Sequence, residues 1–363
     1  MGRRGRKKKS KFKKFILVLF LCIIALGVGA FSYKYTTDKE YLESIASVLS
    51  QKIPEYIPPI IEEKKVEIYQ GTDRPIAVMF DNNKDAWPHS GINSAYIVYE
   101  IIVEGGETRL MAVFKGTNPD AVGPVRSARH YYLDYALEND AIYAHLGWSP
   151  QAQSDIRKLG VNNIQGQAYD TGKKRTATSL FWRSKSKYSP HNAYTSIAAL
   201  QEIAADKKYS LTSDSTSLLH YVVDEFDLES DIIANEVVIP FSTGTKTKFV
   251  YNSETKRYTR YCKGVKQTDE LTGEDVTTKN IIITFADNYT LKDAENKGRQ
   301  GLKNTGTKDG YYITNGKAIK ITCEKSARAE KTRYLKEDGS EIDVNDGNTY
   351  INICPVNAKV TIN

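Results

Sequence analysis

The sequence predicts an α/β N-terminal domain followed by a smaller, β-rich C-terminal domain, with a single transmembrane helix in front of both. A charge-free apolar run near the N-terminus indicates the membrane helix. Apolar strands mixed with amphipathic helices indicate the α/β domain at residues 71–213. Short alternating strands with turn residues between them indicate the β-rich domain at residues 225–358. The chain of 363 residues is long enough for two ordinary domains.

The net charge of +7 is concentrated at the N-terminus. Residues 1–14 contain nine Lys or Arg and no acid, so the remainder of the chain has slightly more acids than bases. A nucleic-acid-binding protein carries its basic residues on the folded domain. We therefore expect no nucleic-acid partner and interpret residues 1–14 as a basic cytoplasmic tail.

The run behind this tail begins at Phe15, ends at Phe31 and contains seventeen residues without a charge. This length is near the lower limit for a membrane-spanning helix, and the basic residues before it place the N-terminus in the cytoplasm. The sequence thus predicts a single-pass anchor at residues 15–33, with the bulk of the chain outside the cell membrane. A cleaved signal peptide is the alternative, because Val28 and Ala30 form a small-residue cleavage site.

Residues 34–70 are predicted to connect the anchor to the first domain. Three prolines in the second half of this segment favour a stiff, extended stalk. A segment packed against the first domain is the alternative.

The N-terminal domain is predicted from apolar runs and helical periodicity. Its strands are expected at residues 75–80, 95–106, 108–116 and 140–147. Its helices are expected at residues 125–137, 149–160 and 193–208. The second helix has Ser149 as its N-cap and Gly160 just past its end.

The C-terminal domain is predicted from alternating apolar and polar residues. Its strands are expected within residues 234–241, 246–264, 280–287, 310–323 and 331–344. The Asn315-Gly316 step and the turn at residues 337–339 are typical of hairpins.

Arg126 and Arg129 follow Gly123-Pro124, a sequence typical of a helix start. Positive charge at that end of a helix opposes the macrodipole unless an anion lies nearby, and Arg binds carboxylate or phosphate well. The arginines therefore indicate either a bound anionic ligand or an internal carboxylate partner.

Three acids at the end of the second predicted strand are candidate partners: Glu100, Glu104 and Glu107. We expect Glu104 to pair with Arg126 or Arg129, since one short strand and a turn separate the acid from the arginines. An Arg–Glu network sealed in the core would favour a non-catalytic protein. A pocket open to solvent with an acid nearby would favour an enzyme.

Asp81 ends an apolar strand, where α/β sheets often present ligand-binding groups. His145 and His191 are further candidates for a base or a ligand, although a lone histidine is more often structural. No nucleophile, phosphate-loop or zinc motif is present, so the sequence predicts no cofactor and no metal site.

Residues 74–116, 122–152, 189–196, 310–323 and 348–355 together resemble the YerB family of cell-envelope proteins. The resemblance implies a two-domain extracytoplasmic protein of Gram-positive type bacteria and a family without an assigned reaction. The polar positions that it marks as ligand-binding candidates are Asp81, Glu104, Arg109, Arg126, Arg129, His191 and Asn192.

The chain departs from this family in two respects. Family members are often lipoproteins, but Leu21 is too large for the residue before a lipid-modified Cys22, so the helix should hold the protein in the membrane. Cys323 and Cys354 occupy positions where the family leads us to expect ordinary strand residues, which favours a disulfide between them. Cys262 would then remain free.

Two classes of function remain open. The first is a non-catalytic envelope factor that binds peptidoglycan, a wall polymer or an envelope protein. The second is an enzyme that acts on an anionic substrate, such as a polyprenyl-phosphate-linked one, through an Arg-rich pocket. The absence of a recognisable catalytic set favours the first class.

Overall fold

The structure, a computed structural model, describes residues 17–30, 32–33, 40, 43–44, 46–47 and 65–363. The chain forms two compact units, residues 1–63 and residues 64–363.

In the first unit, residues 17–30 are helical. Within the described residues, no helix combines the length and the apolar character needed to cross a bilayer. The predicted basic tail, parts of the predicted anchor and most of the predicted stalk lie outside the described residues. The single-pass anchor therefore stays a prediction.

The first part of the second unit contains eight strands and three α-helices, besides four single-turn 3-10 helices. The strands are β1 (Ile76–Asp81), β2 (Ile97–Ile102), β3 (Thr108–Phe114), β4 (Ile142–His145), β5 (Asn163–Gln165), β6 (Trp182–Arg183), β7 (Ala193–Tyr194) and β8 (His220–Val222). The helices are α1 (Tyr132–Glu138), α2 (Pro150–Lys158) and α3 (Ile197–Asp206).

The second part is formed by strands. They are β9 (Ile232–Ile233), β10 (Glu236–Pro240), β11 (Lys246–Asn252), β12 (Arg257–Cys262), β13 (Val265–Lys266), β14 (Thr277–Thr278), β15 (Asn280–Ala286), β16 (Asn288–Thr290), β17 (Gln300–Leu302), β18 (Gly306–Thr314), β19 (Lys317–Lys325), β20 (Arg333–Leu335), β21 (Asp343–Asn345), β22 (Thr349–Pro355) and β23 (Thr361–Ile362). The prediction of a mixed α/β region followed by a β-rich region is confirmed.

One sheet of eleven strands runs through both regions, in the order β20-β19-β18-β15-β22-β2-β3-β1-β4-β5, with β9 paired to β19. The regions join where β2 pairs with β22 in parallel, over five residue pairs. Two domains are distinguishable in composition, yet residues 64–363 form one compact unit because this pairing makes their sheets continuous.

The central strands β1, β2, β3 and β22 of the long sheet are buried on both faces, as their near-continuous apolar sequences require. In β1, Val78 and Phe80 belong to one core cluster, whereas Ala77 and Met79 belong to the other. A second sheet, β13-β12-β11-β10-β23 with β14, contributes Phe249 and other side chains to the cluster of Val78 and Phe80. The second sheet therefore packs against that face of the long sheet.

A buried ion pair connects the two sheets. The carboxylate of Glu100 on β2 lies 2.8 Å from the guanidinium of Arg260 on β12, and the side chains are 0% and 1% exposed. The hydroxyls of Thr108 and Thr247 and the amide of Asn82 also donate to Glu100. The carboxylate of Glu100 is thus bound by these four side chains, and Glu100 is not the partner of Arg126 or Arg129.

The helix predicted at residues 125–137 is wrong in its first half, because α1 begins only at Tyr132. The amide of Arg126 donates to the carbonyl of Met79, and the amide of Val125 donates to the carbonyl of Ala193. Residues 122–128 are therefore held in an extended form between β1 and β7. Backbone pairing with two strands outweighs the helix-start signal of Pro124.

The other local predictions agree better with the structure. Ser149 caps α2, and α3 begins after the cap Ser196, within the predicted segment. The hairpin β18–β19 turns at Asn315 and Gly316, whose φ angles of 49° and 77° suit a type I′ turn. At the end of the predicted stalk, the ring of Tyr69 packs edge-on against Tyr96 of the first domain, with 5.3 Å between the ring centroids, which supports the packed alternative for residues 65–70.

The predicted disulfide between Cys323 and Cys354 is wrong, since both cysteines are free and buried. Cys323 lies on β19 and Cys354 on β22, and two strands separate them in the sheet. Neighbouring strands are about 4.8 Å apart, so these are separated by about 14 Å, which is too far for a bridge. The two side chains also belong to the cores on opposite faces of the sheet.

We expect Glu100→Gln to lower the free energy of unfolding by about 3–5 kcal/mol, because it leaves Arg260 buried without a counter-charge. Chemical denaturation measures this loss. Glu236→Gln is the matched control, since Glu236 forms a solvent-exposed pair with Lys248 and its loss should cost at most about 1 kcal/mol. Equal effects of the two substitutions would contradict a role for the buried pair in joining the sheets.

Candidate functional site

An open cavity of about 430 Å³ lies at the carboxyl ends of β1 and β2. Six of the eight predicted ligand-binding residues line it: Asp81, Glu104, Arg109, Arg126, Arg129 and His191. The remaining lining residues are Asn83, Val103, Glu107, Thr108, Lys297 and Arg299. We call this cavity the arginine pocket.

Glu104 and Arg129 form a two-point ion pair in the pocket wall. The Nε and Nη2 atoms of Arg129 lie 2.6 and 2.8 Å from the two carboxylate oxygens of Glu104. The predicted pairing of Glu104 with one of the two arginines is confirmed. Burial acts to raise the pKa of Glu104, but the hydrogen bonds and charge of Arg129 outweigh it and lower the pKa below its usual value.

Glu104 reaches this position because a tight turn follows β2. Gly105 and Gly106 in this turn have φ angles of 69° and 71°, which favour glycine. A Cβ on Gly106 would also lie only 2.9 Å from the hydroxyl oxygen of Ser242. The turn therefore needs glycine at both positions to return the chain into β3 beside Arg129.

Asp81 ends β1 and contacts both Arg126 and His191. Its Oδ2 atom lies 3.1 Å from Nε of Arg126 and 2.7 Å from Nδ1 of His191. The extended segment at residues 122–128 pairs with both β1 and β7, and His191 lies just before β7. These backbone pairings bring an arginine and a histidine to one carboxylate.

Arg109 is a buried cation of the pocket, with 7% of its surface exposed. It lies opposite Asp81 in the β1–β3 register, and its guanidinium donates to the backbone carbonyl of Ser127. Among the ion pairs of the described residues, none includes Arg109. Burial, together with the charges of Arg129 and Arg126, lowers the pKa of Arg109 to about 10 against the opposing charges of nearby acids. Arg109 therefore remains charged at neutral pH.

Two cations from the C-terminal region complete the pocket, and the sequence analysis missed both. Lys297 and Arg299 lie in and beside the loop of the β16–β17 hairpin. Arg299 pairs with Asp293 at 2.6 Å and also with Glu295, which accepts from Lys297 as well. Lys297 and Arg299 lie only two residues apart in the sequence. Only the tertiary structure, however, shows that the hairpin that carries them reaches the pocket.

The structure places His145 and Asn192 outside the pocket lining. His145 is fully buried, with Nδ1 2.8 Å from the carbonyl oxygen of Gly147, and burial lowers its pKa to about 4. The amide of Asn192 donates to the carbonyls of Ser184 and Lys187. Both side chains thus hold loops near the site.

Glu107, the third acid considered as a partner for the arginines, pairs with Lys263 of the C-terminal region at 2.6 Å. Five cations and three carboxylates therefore line the pocket, and the five cations include one that has no carboxylate partner. Within residues 65–363 and the other described positions, no group of three or more His, Cys, Asp or Glu is arranged to hold a metal ion. The excess positive charge suits an anionic group.

Comparisons with known proteins agree with this architecture. The "Putative lipoprotein YerB" of Bacillus subtilis (strain 168) is 32% identical over 289 residues, which cover 78% of this chain and 81% of the relative. The crystal structure of YerB protein from Bacillus subtilis matches with a TM-score of 0.70 and 29% identity, covering 82% of this chain and 97% of that one.

Two family models also match. Residues 63–210 match the N-terminal domain of the protein of unknown function DUF3048, and residues 237–351 match its C-terminal domain. The boundary between the two models falls in the segment between α3 and β10. The chain belongs to the DUF3048 family and is similar to YerB along most of its length.

Proposed function

We propose that this protein is a single-pass, membrane-anchored extracytoplasmic binding protein whose arginine pocket holds an anionic group of a cell-envelope ligand. The description of YerB as a putative lipoprotein supports an envelope location. The basic tail and the charge-free run behind it support an anchor at residues 15–33, and Leu21 argues against a lipid on Cys22.

The observation that carries the proposal is the charge of Arg109. A buried charge is costly unless it is paired, and Arg109 has only a backbone carbonyl as its hydrogen-bond partner among the described residues. Arg126 and Arg129 line the same pocket. An anion in the pocket would compensate the excess charge of the three guanidinium groups.

The other arginines have carboxylate partners and differ in exposure. Arg126 is 25% exposed and shares Asp81 with His191, whereas Arg129 is 12% exposed and holds Glu104 at two points. Arg126 can therefore turn part of its guanidinium toward a ligand. Arg129 stabilises the wall of the pocket through its ion pair with Glu104.

Polymers of the cell envelope carry anionic groups that a pocket of this charge could bind. Peptidoglycan carries carboxylates and wall polymers carry phosphates, and both groups accept paired hydrogen bonds from Arg. A cavity of about 430 Å³ holds such a group together with a small neighbouring part of a larger molecule.

A second candidate function is hydrolysis of an anionic ester, and the contact between His191 and Asp81 favours it. An aspartate that orients a histidine at Nδ1 leaves Nε2 available as a general base. Nε2 of His191 has no hydrogen-bond partner among the described residues, and the side chain lines the pocket. A water molecule would give its proton to Nε2 while its oxygen attacks phosphorus, and the leaving oxygen would depart with the electrons of the broken P–O bond. The open pocket with an acid nearby is the arrangement that favours an enzyme.

We expect Arg126→Gln to weaken the binding of inorganic phosphate and pyrophosphate by about tenfold or more, because a hydrogen bond to a charged group contributes about 1.5–3 kcal/mol. Its melting temperature should stay near that of the wild type, since Asp81 keeps His191 as a partner. Arg129→Gln should instead lower the free energy of unfolding by about 1–3 kcal/mol, because it leaves Glu104 without its partner. Calorimetric titration and thermal unfolding measure the two effects.

Arg74→Gln is the control for these variants, because Arg74 pairs with Asp140 outside the pocket. It should leave anion affinity unchanged. Anion affinity in Arg126→Gln equal to that of the wild type, or no measurable binding of either anion by the wild type, would contradict the proposed site.

For the second candidate, we expect the wild type to hydrolyse bis(4-nitrophenyl) phosphate and His191→Gln to lower kcat by about 100-fold or more, with little change in phosphate affinity. His220→Gln is the matched control, because His220 also has Nδ1 2.8 Å from an aspartate, Asp343, but on the exposed surface. No release of nitrophenol by the wild type, or equal losses in both variants, would refute catalysis by His191.

A further inference from the structure

The segment that directly precedes β7 carries a concentration of positive charge outside the lining of the arginine pocket. Residues 171–192 contain six Lys or Arg and no Asp or Glu. The chain outside the N-terminal tail has slightly more acids than bases, so this charge is local. A local excess of one charge on an otherwise balanced surface attracts ligands of the opposite charge.

Two of the six cations are neutralised within the protein. Arg183 donates to Asp170 through Nε and Nη2, at 2.9 and 2.6 Å. Lys187 is buried and donates to Glu270 at 2.7 Å. These two side chains anchor the second half of the segment to the rest of the protein.

The other four cations, Lys173, Lys174, Arg175 and Lys185, are exposed. None of them takes part in an ion pair among the described residues. The guanidinium of Arg175 lies 4.5 Å from the centre of the Trp182 ring, which restrains the arginine without neutralising it.

Three of the four line a second open cavity, of about 530 Å³. We call this cavity the basic groove, and its cations are Lys174, Arg175, Arg183 and Lys185. The carboxylate that lines it, Glu270, already accepts from Lys187 and from the hydroxyl of Tyr194. The basic groove therefore presents unpaired positive charge along a concave surface.

We propose that the basic groove binds a phosphodiester polyanion, and that the arginine pocket and the groove bind different phosphates of one chain. This inference rests on the proposed function, because it names the ligand class of the arginine pocket. His191 lines the pocket and ends the segment whose earlier residues line the groove. Repeated phosphates along a flexible chain match two basic cavities on one segment, whereas a single small anion would use only one.

An anionic membrane surface is the competing source of phosphate, and the shape of the site disfavours it. A bilayer presents a flat surface, whereas the cations here line a concave groove. Within residues 171–192, Tyr188 is the large apolar side chain that is exposed, at 90%. Stable membrane binding by a surface segment needs a larger apolar contribution than one such side chain.

The test compares two triple variants of the protein with the same change in charge. One is Lys174→Gln/Arg175→Gln/Lys185→Gln, in the groove. The other is Arg157→Gln/Lys158→Gln/Lys320→Gln, whose exposed side chains take part in no ion pair among the described residues. The probes are a synthetic poly(glycerol phosphate) oligomer, inorganic phosphate, and vesicles of phosphatidylglycerol in phosphatidylcholine.

We expect the groove variant to bind the oligomer at least about tenfold more weakly and to lower the slope of log affinity against log salt by about 2, since three phosphate contacts are lost. The control variant should bind it as the wild type does. Inorganic phosphate affinity should be unchanged in the groove variant, because the arginine pocket is intact.

Equal binding of the oligomer by the two triple variants would overturn the proposal. Vesicle binding that depends on the groove, without oligomer binding, would also overturn it in favour of a membrane surface. Failure of the proposed function is a separate result, because it appears as loss of inorganic phosphate binding in the wild type.

Discussion

The parallel pairing of β2 with β22 is the contact on which the architecture depends. It joins the strands of two sequence regions into one sheet, and Glu100 of β2 then meets Arg260 of the second sheet in the core. It also gives β1, β2, β15 and β22 the same direction, so that their carboxyl ends lie at one edge. The loop after β2 and the β16–β17 hairpin with Lys297 and Arg299 meet at that edge and form the arginine pocket.

The ion pairs of the pocket account for some of its charges and leave one cation unpaired. Arg129 is matched by Glu104, and Arg126 is matched by Asp81. These pairs neutralise Arg126 and Arg129 and hold the wall of the pocket in place, and Arg299 is matched by Asp293 and Glu295. Arg109 is buried next to them with a backbone carbonyl as its hydrogen-bond partner, and this unpaired charge is the basis of the proposed anion site.

Features that depend on local sequence could be predicted, and features that depend on distant pairing could not. The pairing of Glu104 with Arg129 was predictable because one strand and a turn connect them. The helix start at Pro124 was mispredicted, because pairing with β1 and β7 holds that segment extended. His191 and Arg299 reach the pocket from segments far along the chain, and no local pattern encodes that approach. Cys323 and Cys354 are likewise too far apart to form a disulfide, because two strands of the sheet lie between the strands that carry them.

The central claim is that the arginine pocket holds an anion through Arg109 and Arg126. Crystals of the protein grown with selenate, a sulfate analogue with strong anomalous scattering, test it most directly. We expect an anomalous peak in the pocket, with selenate oxygens within about 3 Å of both guanidinium groups. An empty pocket in crystals that bind selenate elsewhere on the protein would contradict it.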